Sequence, residues 1–231
     1  MKFLYLYLDI FSLAGPLFLS FDKRVAFYKK WKSLLFSILF MMFIFLPWDI
    51  FKTYKGVWGF NPDYLCGLYF FNLPLEECLF FVCIPYACIF IYECLNTYIK
   101  IDVLLKIHRP LLIILSFILI AVGFFSFPKL YPVVTFPYAA SLMLLMLFVF
   151  KSTYLSRFFL AYLFTLIPFL LVNGILTGSL IDEPIVWYSS NHILNVRIGT
   201  IPVEDTIYNL GMLSTVIIPY EFLKKKFKIQ L

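Results

Sequence analysis

Seven apolar stretches of about twenty residues, separated by short polar links, leave this chain few ways to fold. They fall at 3–20, 33–50, 74–95, 107–127, 131–150, 157–178 and 202–223. A helix rises about 1.5 Å per residue, so roughly twenty apolar residues cross a hydrocarbon layer about 30 Å thick. Inside lipid each backbone N–H and C=O must be paired within its own segment, and helices do this. The expected fold is therefore all-α and integral to a membrane, with seven transmembrane helices. Composition agrees: 63% of the 231 residues are apolar and 14% charged, against about 45–50% and about 25% in soluble domains. The first stretch lacks a basic flank and a small-residue cleavage site, so it reads as a helix and not as a cleaved leader.

The net charge of +6 would suggest nucleic acid in a soluble protein. Here the basic residues lie in the short links, so no nucleic-acid partner is expected. Of 19 Lys and Arg residues, 14 fall on the face formed by the first, third and fifth links and the C-terminal tail. The other 5 are Lys2, Lys52, Lys55, Lys129 and Arg197. The positive-inside rule then puts the N-terminus outside and the C-terminus in the cytoplasm, in a multi-pass protein of the cell's inner (plasma) membrane. Membrane lipids are its expected surroundings.

Against this background two strings stand out. LPLEECLFF at 73–81 and IPVEDTIYN at 201–209 each set a proline and two adjacent carboxylates at the head of an apolar helix. Ionisable side chains are costly in hydrocarbon and usually face the protein interior with a function. Proline at the first helical position has no N–H to leave unpaired. It puts Glu76 and Glu77, and likewise Glu204 and Asp205, in the first turn near free N–H groups and the positive end of the helix dipole. Neighbouring residues point about 100° apart, so one acid of each pair is expected to face a cavity while the other orients it or caps the helix. Caps facing water are the structural alternative. Clustered carboxylates in an apolar site do not all ionise, and a neutral acid beside an ionised one can donate and take back a proton.

The segments ahead of the motifs also repeat. Val57-Trp58, Asn61 and Pro74 match Val186-Trp187, Asn191 and Pro202 with one single-residue gap. Two parallel three-helix repeats joined by a connector helix follow: 1–98 (helices 1–3), 99–130 (helix 4) and 131–231 (helices 5–7). The fourth helix restores orientation, so the repeat axis runs along the membrane normal. A site is then expected where the halves meet. Trp58, Trp187, Asn61, Asn191 and Asp49 are candidate substrate contacts around it, with Tyr64, Tyr69 and Tyr188 nearby. Asp9 is a further intramembrane acid. Aromatic faces attract cations, although Trp and Tyr also collect at membrane interfaces.

Other chemistries find no motif. The cysteines 66, 78, 83, 88 and 94 form no Cys-x-x-Cys pair, and the two histidines, His108 and His192, are far apart, so no metal site is expected. No G-x-G-x-x-G or P-loop occurs, so no nucleotide cofactor is expected. The lysines of the last span begin only at Lys224, too late for a retinal-type attachment.

PLEECLFF after GVWGFNPDYLCG, the opening YLYLDIFSLAGPLFLSFDKRVAFYKKW, and EPIVWY with RIGTIPVED in the second half together resemble the integral-membrane lycopene cyclases, of tandem type in archaea, bacteria and fungi. The resemblance covers essentially the whole chain. The second motif departs from the family pattern at Asp205, which stands where a second glutamate is usual. The resemblance implies a lycopene β-cyclase-like isomerase (an intramolecular lyase) that closes linear end groups of lycopene or γ-carotene to β-ionone rings. It acts by redox-neutral acid–base proton transfer through a carbocation and without a cofactor. Glu76, Glu77, Glu204 and Asp205 would be catalytic, and other enzymes of carotenoid biosynthesis would be its partners. The sequence leaves open which acid donates. A proton-coupled transporter or carotenoid-binding scaffold without catalysis is the alternative.

Overall fold

Seven α-helices run through residues 2–228, which a computed structural model of the chain describes; the expected repeat ends at Met1 and 229–231 lie outside the described residues. The helices are α1 (Leu4–Leu19), α2 (Trp31–Tyr54), α3 (Leu75–Tyr98), α4 (His108–Phe125), α5 (Leu130–Leu144), α6 (Leu155–Leu176) and α7 (Val203–Lys228). A π-helical turn over Leu145–Val149 prolongs α5. Each helix falls within a few residues of an apolar stretch. Helices α2 to α6, α5 with its π-helical turn, are long and apolar enough to cross a membrane, which makes five such spans among the described residues. Helix α1 is apolar but has only 16 residues, and α7 carries acids at its head and lysines at its tail.

The surface suits lipid. Phe11, Phe18, Phe43, Phe117 and Phe125 all lie exposed, and apolar residues run around the whole circumference of the helices, as in membrane spans. Hydroxyls within the helices bond back to carbonyls four residues earlier, Ser12 to Leu8, Ser37 to Ser33 and Ser116 to Leu112, each at 2.7 Å. Ser37 and Ser116 are buried between helices, and each of these three hydroxyls is spent within its own helix. Prolines expected at first helical positions of α3 and α7 instead precede them by one residue, ending short strands at Pro74 and Pro202.

Packing crosses between the halves. Helix α1 lies on α3 and α5 on α7, but α2 packs on α7 and α6 on α3. The second helix of each expected repeat thus belongs, in space, to the third helix of the other. Helix α4 lies along α5, and the approach needs Gly123: a Cβ there would come 2.8 Å from Cδ of Pro137.

At one end of the bundle two links form a strap. The link ahead of α3 contains β1 (Trp58–Phe60), β2 (Tyr69–Phe70) and β3 (Leu73–Pro74). The link ahead of α7 contains β4 (Val186–Tyr188), β5 (Arg197–Ile198) and β6 (Ile201–Pro202). β2 pairs with β3 and β5 with β6 as hairpins, while β1 pairs antiparallel with β4 across the halves. Trp58 lies opposite Tyr188, Gly59 opposite Trp187 and Phe60 opposite Val186. Leu75 and Val203, which begin α3 and α7, are 128 residues apart, and so are the first residues of β1 and β4. This corrects the sequence alignment by one residue: Trp58 corresponds to Val186, and Trp187 to Gly59. A one-residue shift in a strand turns a side chain to the opposite face. Trp58 is accordingly buried, while Trp187 is 45% exposed and lies over Gly59, where a Cβ would meet the indole at 2.3 Å.

The opposite end carries a second repeated feature. Tyr92 of α3 donates to Glu221 of α7 at 2.9 Å, and Tyr220 of α7 donates to Glu93 of α3 at 2.7 Å. Lys224 bonds both carboxylates, and Lys30 bonds Glu93 at 2.6 Å. This clasp pairs two buried acids with two ammonium groups, as burial of charge requires.

Candidate active site

Beneath the strap, residues of α1, α2, α3, α5, α6 and α7 surround a hollow of about 50 Å³. The first turns of α3 and α7 deliver the acids. Glu77 and Asp205 line the hollow, together with Asp49 near the C-terminal end of α2. Glu76 and Glu204 do not: each turns back to its own link, Glu76 accepting the Cys66 N–H at 2.6 Å and Glu204 accepting the Leu194 N–H. Cys66 and Leu194 are again 128 residues apart. Each motif thus has one inward acid and one link-holding acid, the 100° between neighbours on a helix being the cause, so of the four acids the resemblance makes catalytic only Glu77 and Asp205 line the hollow.

Each inward acid is held by phenols from other helices. Tyr5 of α1 donates to Glu77 at 2.6 Å, and Tyr131 of α5 donates to Asp205 at 2.8 Å. Asp205 accepts two more bonds, from Asn173 of α6 at 2.9 Å and from Tyr188 of β4 at 2.8 Å. Tyr208 of α7 reaches across the halves to Asp49 at 2.6 Å. Asp49 and Glu77 line the same hollow. Asp205 is therefore saturated with donors, whereas Asp49 Oδ2 and both polar atoms of Asn209 are buried without a partner. Tyr188 stands in the strap, outside the helices. Burial, and then the neighbouring Asp205, push its phenol well above the usual range, so it stays a donor.

Aromatic rings close the hollow on the α2 side. Trp58 meets Tyr131 edge to face at 5.1 Å and Tyr208 at 6.1 Å, and Tyr131 stacks on Tyr188 at 6.2 Å. The ammonium of Lys52 sits among them, 4.6 Å from the rings of Tyr131 and Tyr208, 4.7 Å from Trp58 and 4.9 Å from Trp48. Lys52, expected among the basic residues of the outer links, is instead fully buried in the last turns of α2. A cage of rings that holds an ammonium offers the same quadrupole attraction to any cation of similar size.

Other sequence candidates lie elsewhere. Asn61 caps a short turn by accepting the Asp63 N–H at 3.0 Å and donates to Glu183 at 3.1 Å. Asn191 is exposed in the strap, and so is Tyr69. Trp187 covers Gly59 on the outer side of the strap. Asp9 is buried one helical turn beyond Tyr5 with neither oxygen partnered. Tyr5, Tyr131, Asn173, Tyr208, Asn209 and Lys52 were not singled out from sequence. For Tyr5 and Tyr131 a signal existed, since each follows a leucine at the start of the first helix of its half. For Asn173 and Tyr208 the partner lies 32 and 159 residues away, with no local pattern to mark it.

A family model described as lycopene cyclase matches two stretches of the chain, residues 2–95 and 128–223. Between them lies α4. No curated protein and no solved structure matches the chain.

Proposed function

The chain belongs to the lycopene cyclase family, and on that premise we propose that it closes a linear end group of lycopene or γ-carotene into a β-ionone ring by redox-neutral proton transfer. The observation that carries the reading is the meeting of Glu77, Asp49 and Asp205, from both halves, at one small hollow walled by aromatic rings.

Glu77 and Asp49 line one apolar-walled hollow, and clustered carboxyls in such a site do not all ionise, so we take Glu77 with Asp49 as the donor pair. The proton adds to the terminal alkene of the polyene and forms a C–H bond. The resulting tertiary cation is attacked by the neighbouring double bond, which forms the ring C–C bond and moves the positive charge into the ring. Trp58, Tyr131 and Tyr208 wall the hollow in which that charge develops. Loss of a ring proton to a carboxylate forms the ring alkene. Asp205, held by three donors, is the acceptor. One proton enters and one leaves, so no redox partner is required. Glu76 and Glu204 hold the links that position the inward acids.

In the same reading all seven helices cross the bilayer, α1 and α7 included. The chain is two parallel three-helix repeats, 1–98 and 131–231, joined by a connector helix within 99–130. The acid hollow lies at the extracytoplasmic end, and the basic clasp end faces the cytoplasm of the plasma membrane. The 128-residue correspondence of the strap, the inward acids and the Tyr-Glu clasp supports the repeat.

The test is expression of the chain in a bacterium that accumulates lycopene, with pigments resolved by chromatography. Cyclised product is expected from the wild type and none from Glu77→Gln at equal levels of inserted protein. A wild type that inserts but leaves lycopene unchanged favours the transporter or scaffold. Full conversion by Glu77→Gln removes Glu77 from the acid role.

A further inference from the structure

The hollow of about 50 Å³ is far below the roughly 300–1,000 Å³ of sites that enclose small molecules, so a polyene needs a second space. One adjoins it. Helices α1, α3 and α6 enclose a groove of about 400 Å³, and Phe169 of α6 belongs to the wall of both spaces. We propose that this groove is the binding site for the polyene chain, with Phe169 as the gate through which the reacting end passes into the acid hollow. The inference rests on the cyclase reading and adds to it the route and the seat of the substrate.

The chemistry of the groove selects hydrocarbon. Its wall comprises small side chains on two helices, Ala14 and Gly15 of α1 facing Ala87 and Cys88 of α3. Its only hydroxyls, Ser12 and Thr165, are spent on the backbone of their own helices, on Leu8 and Tyr162 at 2.7 Å each. No charge reaches it. Each of the three helices contains a proline, Pro16, Pro85 and Pro168, and interior prolines keep helices from packing as straight rods.

Position agrees with chemistry. Phe169 lies one turn below Asn173, which holds Asp205. On α3 the groove reaches from Ile84 to Ile91, ending about 21 Å along the helix from Glu77 at about 1.5 Å per residue. A rod-like chain with its tip at Glu77 then lies down the bilayer, between helices and open to lipid. The corresponding helices of the other half, α2, α5 and α7, enclose only about 90 Å³, filled by Phe45, Trp48, Tyr138 and Tyr208. The duplicated frame therefore serves one polyene from one side, and a second ring requires release and turning of the substrate.

Gly15 provides the test, because a Cβ there meets nothing within 4 Å and the helix bears a side chain without strain. Gly15→Trp fills the groove; Phe117→Trp, on the lipid face of α4, is the control. In the lycopene-producing host, Gly15→Trp is expected to lower cyclised product at least tenfold with unchanged membrane-inserted protein, and Phe117→Trp to leave it unaltered. Purified Glu77→Gln protein is expected to retain lycopene, and Glu77→Gln with Gly15→Trp to lose it. Conversion and retention unaffected by Gly15→Trp overturn the groove while leaving the cyclase reading intact. A wild type that retains lycopene, loses it on Gly15→Trp, and never cyclises it overturns the reading while upholding the groove. Absence of bound lycopene from every variant overturns the groove.

Discussion

Replacement of Asp205 separates what its carboxylate does for the fold from what it does for chemistry. Three donors converge on it: Tyr131 on Oδ1, and Asn173 and Tyr188 on Oδ2. Asp205→Asn keeps one oxygen, which placed at the Oδ2 position satisfies Asn173 and Tyr188. The amide NH₂ then faces the Tyr131 hydroxyl, which can rotate to accept but loses its own acceptor. One mismatched buried group costs about 1–3 kcal/mol. Asp205→Leu removes all three acceptor contacts, so the same scale gives a loss of about 3 kcal/mol at the least. For a chain of this size about 2–4 °C of melting temperature accompanies each kcal/mol. Thermal unfolding in detergent should therefore place the Leu variant at least about 6 °C below wild type, and the Asn variant between the two. Pigment analysis gives the second reading. A positioned base contributes typically about 10²–10⁴-fold, so Asp205→Asn, although folded, should form little or no ring product. Two results refute the reasoning. A Leu variant melting with the wild type means the donors do not depend on Asp205, and a fully active Asn variant means the base is elsewhere.

Three further outcomes follow from the geometry. Gly59→Ala drives a methyl into Trp187 and should destabilise the strap by about 1–3 kcal/mol; Trp187→Ala should relieve it, and a double mutant no more stable than Gly59→Ala alone would falsify that contact. At the clasp, Glu93 accepts from Lys30, Tyr220 and Lys224, whereas Glu221 accepts from Tyr92 and Lys224. Glu93→Gln should therefore lower the melting temperature more than Glu221→Gln, the reverse order being the refuting result. Lys52→Met removes a charge held by four rings and should cost about 2 kcal/mol or more, each buried cation–π contact being worth up to about 2; an unchanged melting temperature would show that the cage binds no charge.

What the sequence by itself determined was the set of helices and the head of each motif. Long apolar runs in lipid have only one way to pair their backbone, so α1 to α7 fall within a few residues of the hydrophobic stretches. The recurrence of the two motif strings was also legible in linear order, but matching the tryptophans puts it one residue off the 128-residue spacing of β1 and β4. Matching tryptophans outweighed strand pairing that the string could not display. A Tyr-Glu pair recurring at 92–93 and 220–221 was equally readable and went unread among so many aromatic residues. Only the tertiary structure decided which acid of each pair turns inward, because a first-turn position allows either and packing of α1, α2 and α6 selects one. It also decided that Asn173 meets Asp205, that Tyr208 meets Asp49 and that Lys52 turns inward to a cage. The contacts of Asp49 and Lys52 with Tyr208 follow from the crossing of α2 onto α7, whereas Asn173 meets Asp205 where α6 touches α7. Local periodicity reports the environment around a helix; it carries no information about which distant helix supplies that environment.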